Sequence, residues 1–98
     1  MILLRNMKRF IYMYIIVYFV FTWFWNKPVY VTAHAIERAE LRGIAYPDTV
    51  RVCIHQGKAK KFGRRMVRFI KRGKNGSIIC IGEDVGHAII IKTIERGN

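Results

Sequence analysis

The sequence predicts an α+β domain: a short strand and two helices, followed by an antiparallel strand meander, and preceded by an N-terminal hydrophobic helix. Three observations lead to this prediction. Helical periodicity and helix-ending glycines occupy residues 33–57. From residue 58 onward, short β-type runs alternate with glycine-containing turns. Residues 10–25 are apolar without a charge. We therefore divide the chain into a hydrophobic segment, 1–27, and a basic α+β domain, 28–98.

Two helices are predicted in the first half of the basic domain. A short β-type run at 29–31 is followed by Thr32, a suitable N-cap for a helix over 33–42. A second, shorter helix begins with Pro47 at its first position, where a proline needs no hydrogen-bond partner. This helix ends at Gly57.

Four strands are predicted in the second half. The stretch Gly73-Lys74-Asn75-Gly76 is a hairpin signal between two of them. The sequence SIICIGE is apolar on both faces, which indicates a central strand. The predicted strands cover residues 58–62, 64–72, 77–83 and 87–95.

The hydrophobic segment favours a membrane anchor. As a helix, its sixteen uncharged residues 10–25 would span about 24 Å, somewhat less than the roughly 30 Å hydrocarbon core. Flanking Lys8, Arg9 and Lys27 can snorkel to the interfaces, and two tryptophans near its end suit an interfacial belt. We predict a transmembrane helix at about 10–25. The alternatives are a secretory signal peptide, a buried core helix, or a start codon assigned too early.

The charge balance predicts a polyanionic partner. The chain carries 18 Lys and Arg against 6 Asp and Glu, a formal charge of +12. Four of the bases and none of the acids lie in residues 1–27, which leaves +8 on residues 28–98. Nucleic acid, anionic lipid or an acidic protein would complement such an excess. We expect a membrane-anchored protein with a cytoplasmic basic domain, or a cytoplasmic protein if the start codon is misplaced.

The sequence offers little for metal, cofactor or serine-based chemistry. Cys53 and Cys80 each sit in an apolar run, which is typical of buried free thiols. The three histidines and two cysteines show no zinc-ligand spacing. Ser77 is the one serine in the chain, so a serine-based triad is not expected. We predict no metal site and no small-molecule cofactor.

The first predicted helix carries a stripe of candidate catalytic residues. His34, Arg38 and Arg42 follow one another at i, i+4 and i+8. Like charges at i, i+4 cost a helix about 0.2–0.5 kcal/mol, so a phosphate, a carboxylate of the sheet or solvation must compensate them. A histidine beside two arginines suits acid–base chemistry on a phosphodiester, or a simple phosphate clamp. A solvated helix face remains the alternative, as does structural pairing of both arginines with Glu83, Asp84 or Glu95.

A second cluster of bases is the candidate nucleic-acid interface. Residues 58–74, here called the basic ribbon, contain nine Lys and Arg in seventeen positions, interleaved with Phe62 and Phe69. This composition suits contact with a phosphate backbone, although lysines on an edge strand also protect it from aggregation. Phe69 alternates with Val67 and is expected in the core. The predicted nucleic-acid contacts are Lys58, Lys60, Lys61, Arg64, Arg65, Arg68, Lys71 and Lys92.

A resemblance rests on the helix motif His34-Ala35-x-x-Arg38-x-x-x-Arg42-Gly43-Ile44. This pattern, with residues 82–86 and 89–94 as a closing hairpin, resembles domain-of-unknown-function family 4258 over about residues 29–96. That family is similar in fold to the BrnT and RelE types of toxin ribonuclease. The resemblance implies metal-free RNA cleavage by the ribose 2′-hydroxyl, with His34, Arg38 and Arg42 at the motif positions. It also implies an acidic antitoxin-like partner.

Two functions are therefore predicted. The first is RNA binding or RNA cleavage by a toxin-like domain that uses the helix stripe and the basic ribbon. The alternative is a membrane-anchored, non-enzymatic module that binds an acidic protein or anionic lipid.

Overall fold

The computed structural model describes residues 20–97 of the chain, which form six strands and two helices. In chain order these are β1 (Thr22–Phe24), β2 (Lys27–Val31), α1 (Ala33–Leu41), α2 (Asp48–Gln56), β3 (Lys58–Phe62), β4 (Met66–Gly73), β5 (Gly76–Asp84) and β6 (Ile89–Gly97).

All six strands join one sheet, in the order β1-β2-β6-β5-β4-β3. The last four strands pair antiparallel with their neighbours in sequence, because short turns connect them. The two helices connect β2 to β3, and β2 lies parallel to β6 in the sheet. The sheet curls into a half-barrel, with a register shift in the β5–β6 pair between Ile81 and Gly82.

One face of the sheet, here called the core face, carries the buried side chains. Strand residues alternate between the faces, so Val67 and Phe69 of β4 point to the same side as Cys80 of β5 and the three buried isoleucines of β6. Ala35 and Ala39 pack α1 against β6, while α2 packs against β4 and β5. The opposite side, here called the open face, is left without a covering helix in residues 20–97.

Both ends of α1 are satisfied by hydrogen bonds. The Thr32 hydroxyl accepts from the backbone N–H of Ala35 at 3.1 Å, as the predicted N-cap requires. Gly43 follows the helix with φ +67°, a conformation that glycine adopts without strain. Arg96 donates to the carbonyls of Arg42 and Gly43 at 2.9 and 3.0 Å, so β6 caps the C-terminal end of the helix.

The predicted fold class is wrong, because sheet dominates the protein. Of the described residues, 51% lie in strands and 23% in helices. Residues 20–25, predicted as the end of a hydrophobic helix, instead contribute β1 and the turn after it. Phe24 packs edge-on against Phe69, with ring centroids 4.9 Å apart, whereas Trp23 is exposed. A run that is apolar on every side fits a helix and a strand equally well, and here pairing with β2 decides the outcome.

The predicted membrane helix falls largely outside the described residues, since positions 10–19 are not among them. No helix within residues 20–97 is long and apolar enough to cross a bilayer. Because β1 pairs with β2, the sheet begins before residue 28.

Three local predictions are also corrected. Arg64 and Arg65 belong to the turn between β3 and β4 rather than to a strand. His87 lies exposed in the β5–β6 loop, ahead of the strand that was predicted to begin there. Pro47 precedes α2 instead of occupying its first turn, and Asp48 is the first helical residue.

Candidate nucleic-acid interface

The basic ribbon forms the β3–β4 hairpin at one edge of the sheet. The hairpin is closed by a turn at residues 63–65, and among the described strands β3 pairs with β4 alone. Gly63 adopts φ +59° in this turn, which is the left-handed region that tight turns use. Phe62 stands opposite Met66 at the turn, and this register fixes every other pair along the hairpin.

Four bases of the hairpin are neighbours on the open face. Lys60 stands directly opposite Arg68, where Cβ atoms are about 4.5–5.5 Å apart. Lys58 stands opposite Ile70 and therefore lies diagonal to both Arg68 and Arg72, at roughly 7–8 Å. The face presents a cluster of cations around the apolar side chain of Ile70. Like charges directly opposite one another destabilise a sheet, so this arrangement is unfavourable for folding alone.

A cavity of about 530 Å³ occupies this part of the hairpin. It is lined by Gln56, Gly57, Lys58, Ala59, Lys60, Arg68, Ile70, Lys71 and Arg72. Five of these nine residues are bases and none is an acid. The Nε atom of Arg68 is buried and has no hydrogen-bond partner among residues 20–97. A buried N–H donor without an acceptor is costly, and an anion in the cavity would supply one.

Two carboxylates at the end of β5, those of Glu83 and Asp84, are engaged elsewhere. Lys92 Nζ lies 2.6 Å from Glu83 Oε1, and Lys27 Nζ donates to both carboxylate oxygens of Asp84 at 2.9 and 2.8 Å. These hydrogen bonds hold the pKa values of the two carboxyl groups below their ordinary values. Within the described part of the chain, no base of the ribbon forms an ion pair. The positive charge of the ribbon is therefore not neutralised by the fold.

The remaining predicted contacts are distributed around the hairpin. Lys61 points to the core side, where its Nζ lies 4.9 Å from the ring centroid of Trp25. Arg64 and Arg65 line a smaller cavity of about 110 Å³ at the turn, beside Asp84. Lys92 is on β6 and is held by Glu83, away from the hairpin.

The two ribbon phenylalanines have different environments. Phe69 is fully buried, so its predicted core position is confirmed. Phe62 is exposed at the end of β3, on the same face as Lys58 and Lys60. An exposed aromatic ring beside cations is available for stacking.

The helix stripe and the open face of the ribbon are not brought together. His34, Arg38 and Arg42 lie on α1, which packs on the core face against β6, whereas the cation cluster is on the opposite face at the far edge. Arg42 Nη1 contacts the carbonyl of Arg38 at 3.5 Å. The Nε atom of Arg38 is buried without a hydrogen-bond partner in the described chain.

The alternative interpretation of Arg38 and Arg42, in which both pair with carboxylates of the sheet, is wrong. Glu83 and Asp84, predicted as possible partners of Arg38 and Arg42, pair with Lys92 and Lys27 instead. No ion pair within residues 20–97 joins either helix arginine to Glu95. Within the described residues, neither helix arginine therefore forms an ion pair with any of these three carboxylates.

The two cysteines lie in the core. Cys53 Sγ lies 3.5 Å from the carbonyl oxygen of Phe69 and 3.3 Å from that of Ile78, and both cysteines are buried and free. Donation of the Cys80 thiol to Cys53, together with burial, raises the pKa of Cys80. A neutral buried thiol is a poor nucleophile. Across residues 20–97, no group of His, Cys, Asp and Glu is arranged to hold a metal ion.

Sequence reasoning missed two features of the site. Arg72 was not among the predicted contacts, yet it lines the cavity. Sequence reasoning also missed that Lys60 stands opposite Arg68. That pairing depends on the register of the hairpin, which is obtained by pairing residues in order on either side of the turn at 63–65.

Comparison of the chain with family models, with curated proteins and with solved structures gives no significant match. The geometry of the domain and its sequence motifs are therefore the basis for assigning a function.

Proposed function

We propose that the domain binds RNA through the phosphate backbone, along the open face of the basic ribbon. The observation that carries the proposal is the cavity on the β3–β4 hairpin, which five bases and no acid line. Phosphate groups would relieve the repulsion between Lys60 and Arg68 and accept from the unpartnered Nε of Arg68. The choice of RNA over other polyanions is supported by the resemblance of the α1 motif to domain-of-unknown-function family 4258, which is similar in fold to toxin ribonucleases.

The proposal is tested by equilibrium binding of a fluorescent single-stranded RNA to the full chain at several salt concentrations. For single strands, the logarithm of affinity falls with the logarithm of salt concentration at a slope of about −0.7 per phosphate contact. We expect Lys60→Ala to weaken binding to all sequences and to make the slope shallower by about that amount.

Arg51→Gln is the matched control, since it removes one exposed base from α2 and leaves the hairpin intact. Its binding and its salt slope should stay close to those of the unaltered protein. Equal losses in the two variants, or an affinity that does not change with salt, would contradict localised phosphate contact at the ribbon.

RNA cleavage at α1 is a second candidate, favoured by the buried and unpartnered Nε of Arg38. There the 2′-hydroxyl would attack the adjacent phosphate and expel the 5′-oxygen of the next nucleotide, giving a 2′,3′-cyclic phosphate. The arginines would hold the developing charge, while His34 takes the proton of the attacking hydroxyl or gives one to the leaving oxygen. Incubation of RNA with the full chain in a chelator, beside Arg38→Ala, tests this activity. Products with 2′,3′-cyclic phosphate ends that disappear in the variant would support it. Intact RNA, or cleavage that survives Arg38→Ala, would exclude this site.

A further inference from the structure

We infer that the cavity on the hairpin takes an oligophosphate group, that is, several linked phosphates carried by one end of a ligand. This inference deepens the proposed function, on which it rests for the RNA form of the ligand. A 5′-triphosphate end of RNA and a free nucleoside triphosphate both present this chemistry. An oligophosphate differs from internal RNA backbone because its negative charges form one compact group, whereas those of the backbone are evenly spaced along the strand.

The density of positive charge supports a compact ligand. A volume of about 530 Å³ is within the range of cavities that hold small molecules, roughly 300–1,000 Å³, so it accommodates a ligand of about nucleotide size. Internal backbone supplies one charge per nucleotide, whereas even a single terminal phosphate carries about 1.5 to 2 at neutral pH. Five bases in one cavity therefore match linked phosphates better than a short stretch of backbone.

The placement of the bases supports the same ligand. Lys60 and Arg68 face each other across the hairpin, and Lys58 lies diagonal to Arg68 and Arg72, so charges approach a central anion from both strands. Guanidinium groups bind phosphate oxygens with two donors at once. The Nε of Arg68 is already buried without an acceptor in the described chain.

One feature of the cavity opposes anion binding, but it is weaker. The C-terminal end of α2 reaches the cavity at Gln56 and Gly57, and helix C-termini carry a partial negative charge of about half an elementary charge. Gly57 N–H already donates to the Cys53 carbonyl. Five full positive charges outweigh this contribution.

The inference is tested with two RNAs of the same sequence, one with a 5′-triphosphate and one with a 5′-hydroxyl, each labelled at the 3′ end. Binding to the full chain is measured in a chelator, so that divalent cations do not neutralise the phosphates. We expect the triphosphate RNA to bind about tenfold more tightly or better, which is the effect of one net charge-assisted hydrogen bond. Inorganic tripolyphosphate should displace it at concentrations where inorganic phosphate does not.

Variants locate the effect. Arg68→Ala and Arg72→Ala, two independent changes in the cavity lining, should each reduce the preference for the triphosphate end. Arg51→Gln, on α2 outside the cavity, should retain it. Circular dichroism confirms that each variant is folded, and a preference that survives both cavity variants would overturn the inference.

The outcomes separate the inference from the proposed function. Equal affinity for both RNAs, with salt-sensitive binding retained, would overturn the inference and leave backbone binding standing. Displacement of the triphosphate RNA by adenosine triphosphate would support the inference with a free nucleotide as the source. Binding of tripolyphosphate without binding of either RNA would support the oligophosphate site and overturn the RNA proposal. Absence of binding to every probe would overturn both.

Discussion

Reversing one charge on the hairpin should make the protein more stable while weakening its binding of RNA. Lys60 lies directly opposite Arg68, and neither base is in an ion pair within residues 20–97. Directly opposed like charges destabilise a sheet, and opposed unlike charges stabilise it, each by roughly 0.2–1 kcal/mol. The Lys60→Glu substitution changes the first situation into the second. The free energy of unfolding should therefore rise by about 0.4–2 kcal/mol.

The gain is measured by urea denaturation of the full chain at low salt. Since Lys60 is exposed, solvent screening favours the lower half of the range. For a domain of this size, 1 kcal/mol corresponds to an increase in Tm of about 4–8 °C. In 1 M salt the Debye length falls to about 3 Å, so most of the gain should disappear. Affinity for RNA should fall in the same variant.

Lys74→Glu is the control, because it makes the same change of charge in the β4–β5 turn, where no strand residue stands opposite. It measures the benefit of reducing net charge without altering a cross-strand pair. The reasoning is refuted if Lys60→Glu destabilises the protein. It is refuted equally if Lys74→Glu gives the same stabilisation, since the gain would then come from total charge alone.

Two further predictions concern the packing of the core and the dependence of stability on pH in acid. Phe69→Ala should lower the free energy of unfolding by about 3–5 kcal/mol, because Phe69 is fully buried against Phe24. Phe62→Ala, at an exposed position, should change the free energy of unfolding by less than about 0.5 kcal/mol. Similar urea midpoints for the two variants would contradict the faces assigned to the two residues. The hydrogen bond from Lys27 lowers the pKa of Asp84 in the folded protein below its ordinary value. The stabilisation from this pair is therefore fully present at pH values above the pKa of the carboxyl in the unfolded chain, about 3.9. It is lost as the pH falls through the lower pKa of the folded state. In thermal unfolding between pH 6 and pH 2, Tm should fall less steeply with decreasing pH in Lys27→Met than in the unaltered protein. Superimposable curves of Tm against pH for the two proteins would show that the pair contributes nothing to stability.

Local signals were sufficient to predict the helices and the hairpin. Thr32 and Gly43 mark the two ends of α1 because capping depends on a few adjacent residues. The predicted strand at 58–62 coincides with β3 for the same reason, since Gly57 and Gly63 bound this five-residue run. The predicted helix ending at residue 25 was wrong at residues 22–24, which form β1. Apolar and polar residues do not alternate clearly along this strand, so periodicity could not distinguish a strand from a helix.

The residues of the candidate site were predicted more completely than their arrangement. Counting bases identified the ribbon, because charge density is visible in composition alone. It did not separate Lys61, which lies over Trp25, from Lys60, which lines the cavity. Adjacent strand residues point to opposite faces, so that separation requires the strand and its register. The assignment of Lys92 failed to anticipate its ion pair with Glu83, which bridges two strands.

The distribution of carboxylates bears on whether the ribbon's charge has a function. Glu83 and Asp84 lie on β5, next to the hairpin, and Glu83 is the cross-strand partner of Met66. They are close enough to lower the ribbon's positive potential, yet they bind Lys92 and Lys27 on other strands. Small domains have little stability to spare, and the Lys60–Arg68 opposition reduces it further. Departures from favourable local pairing are expected at functional sites. The unneutralised hairpin is therefore the part of this domain where a ligand would relieve the most unfavourable electrostatics.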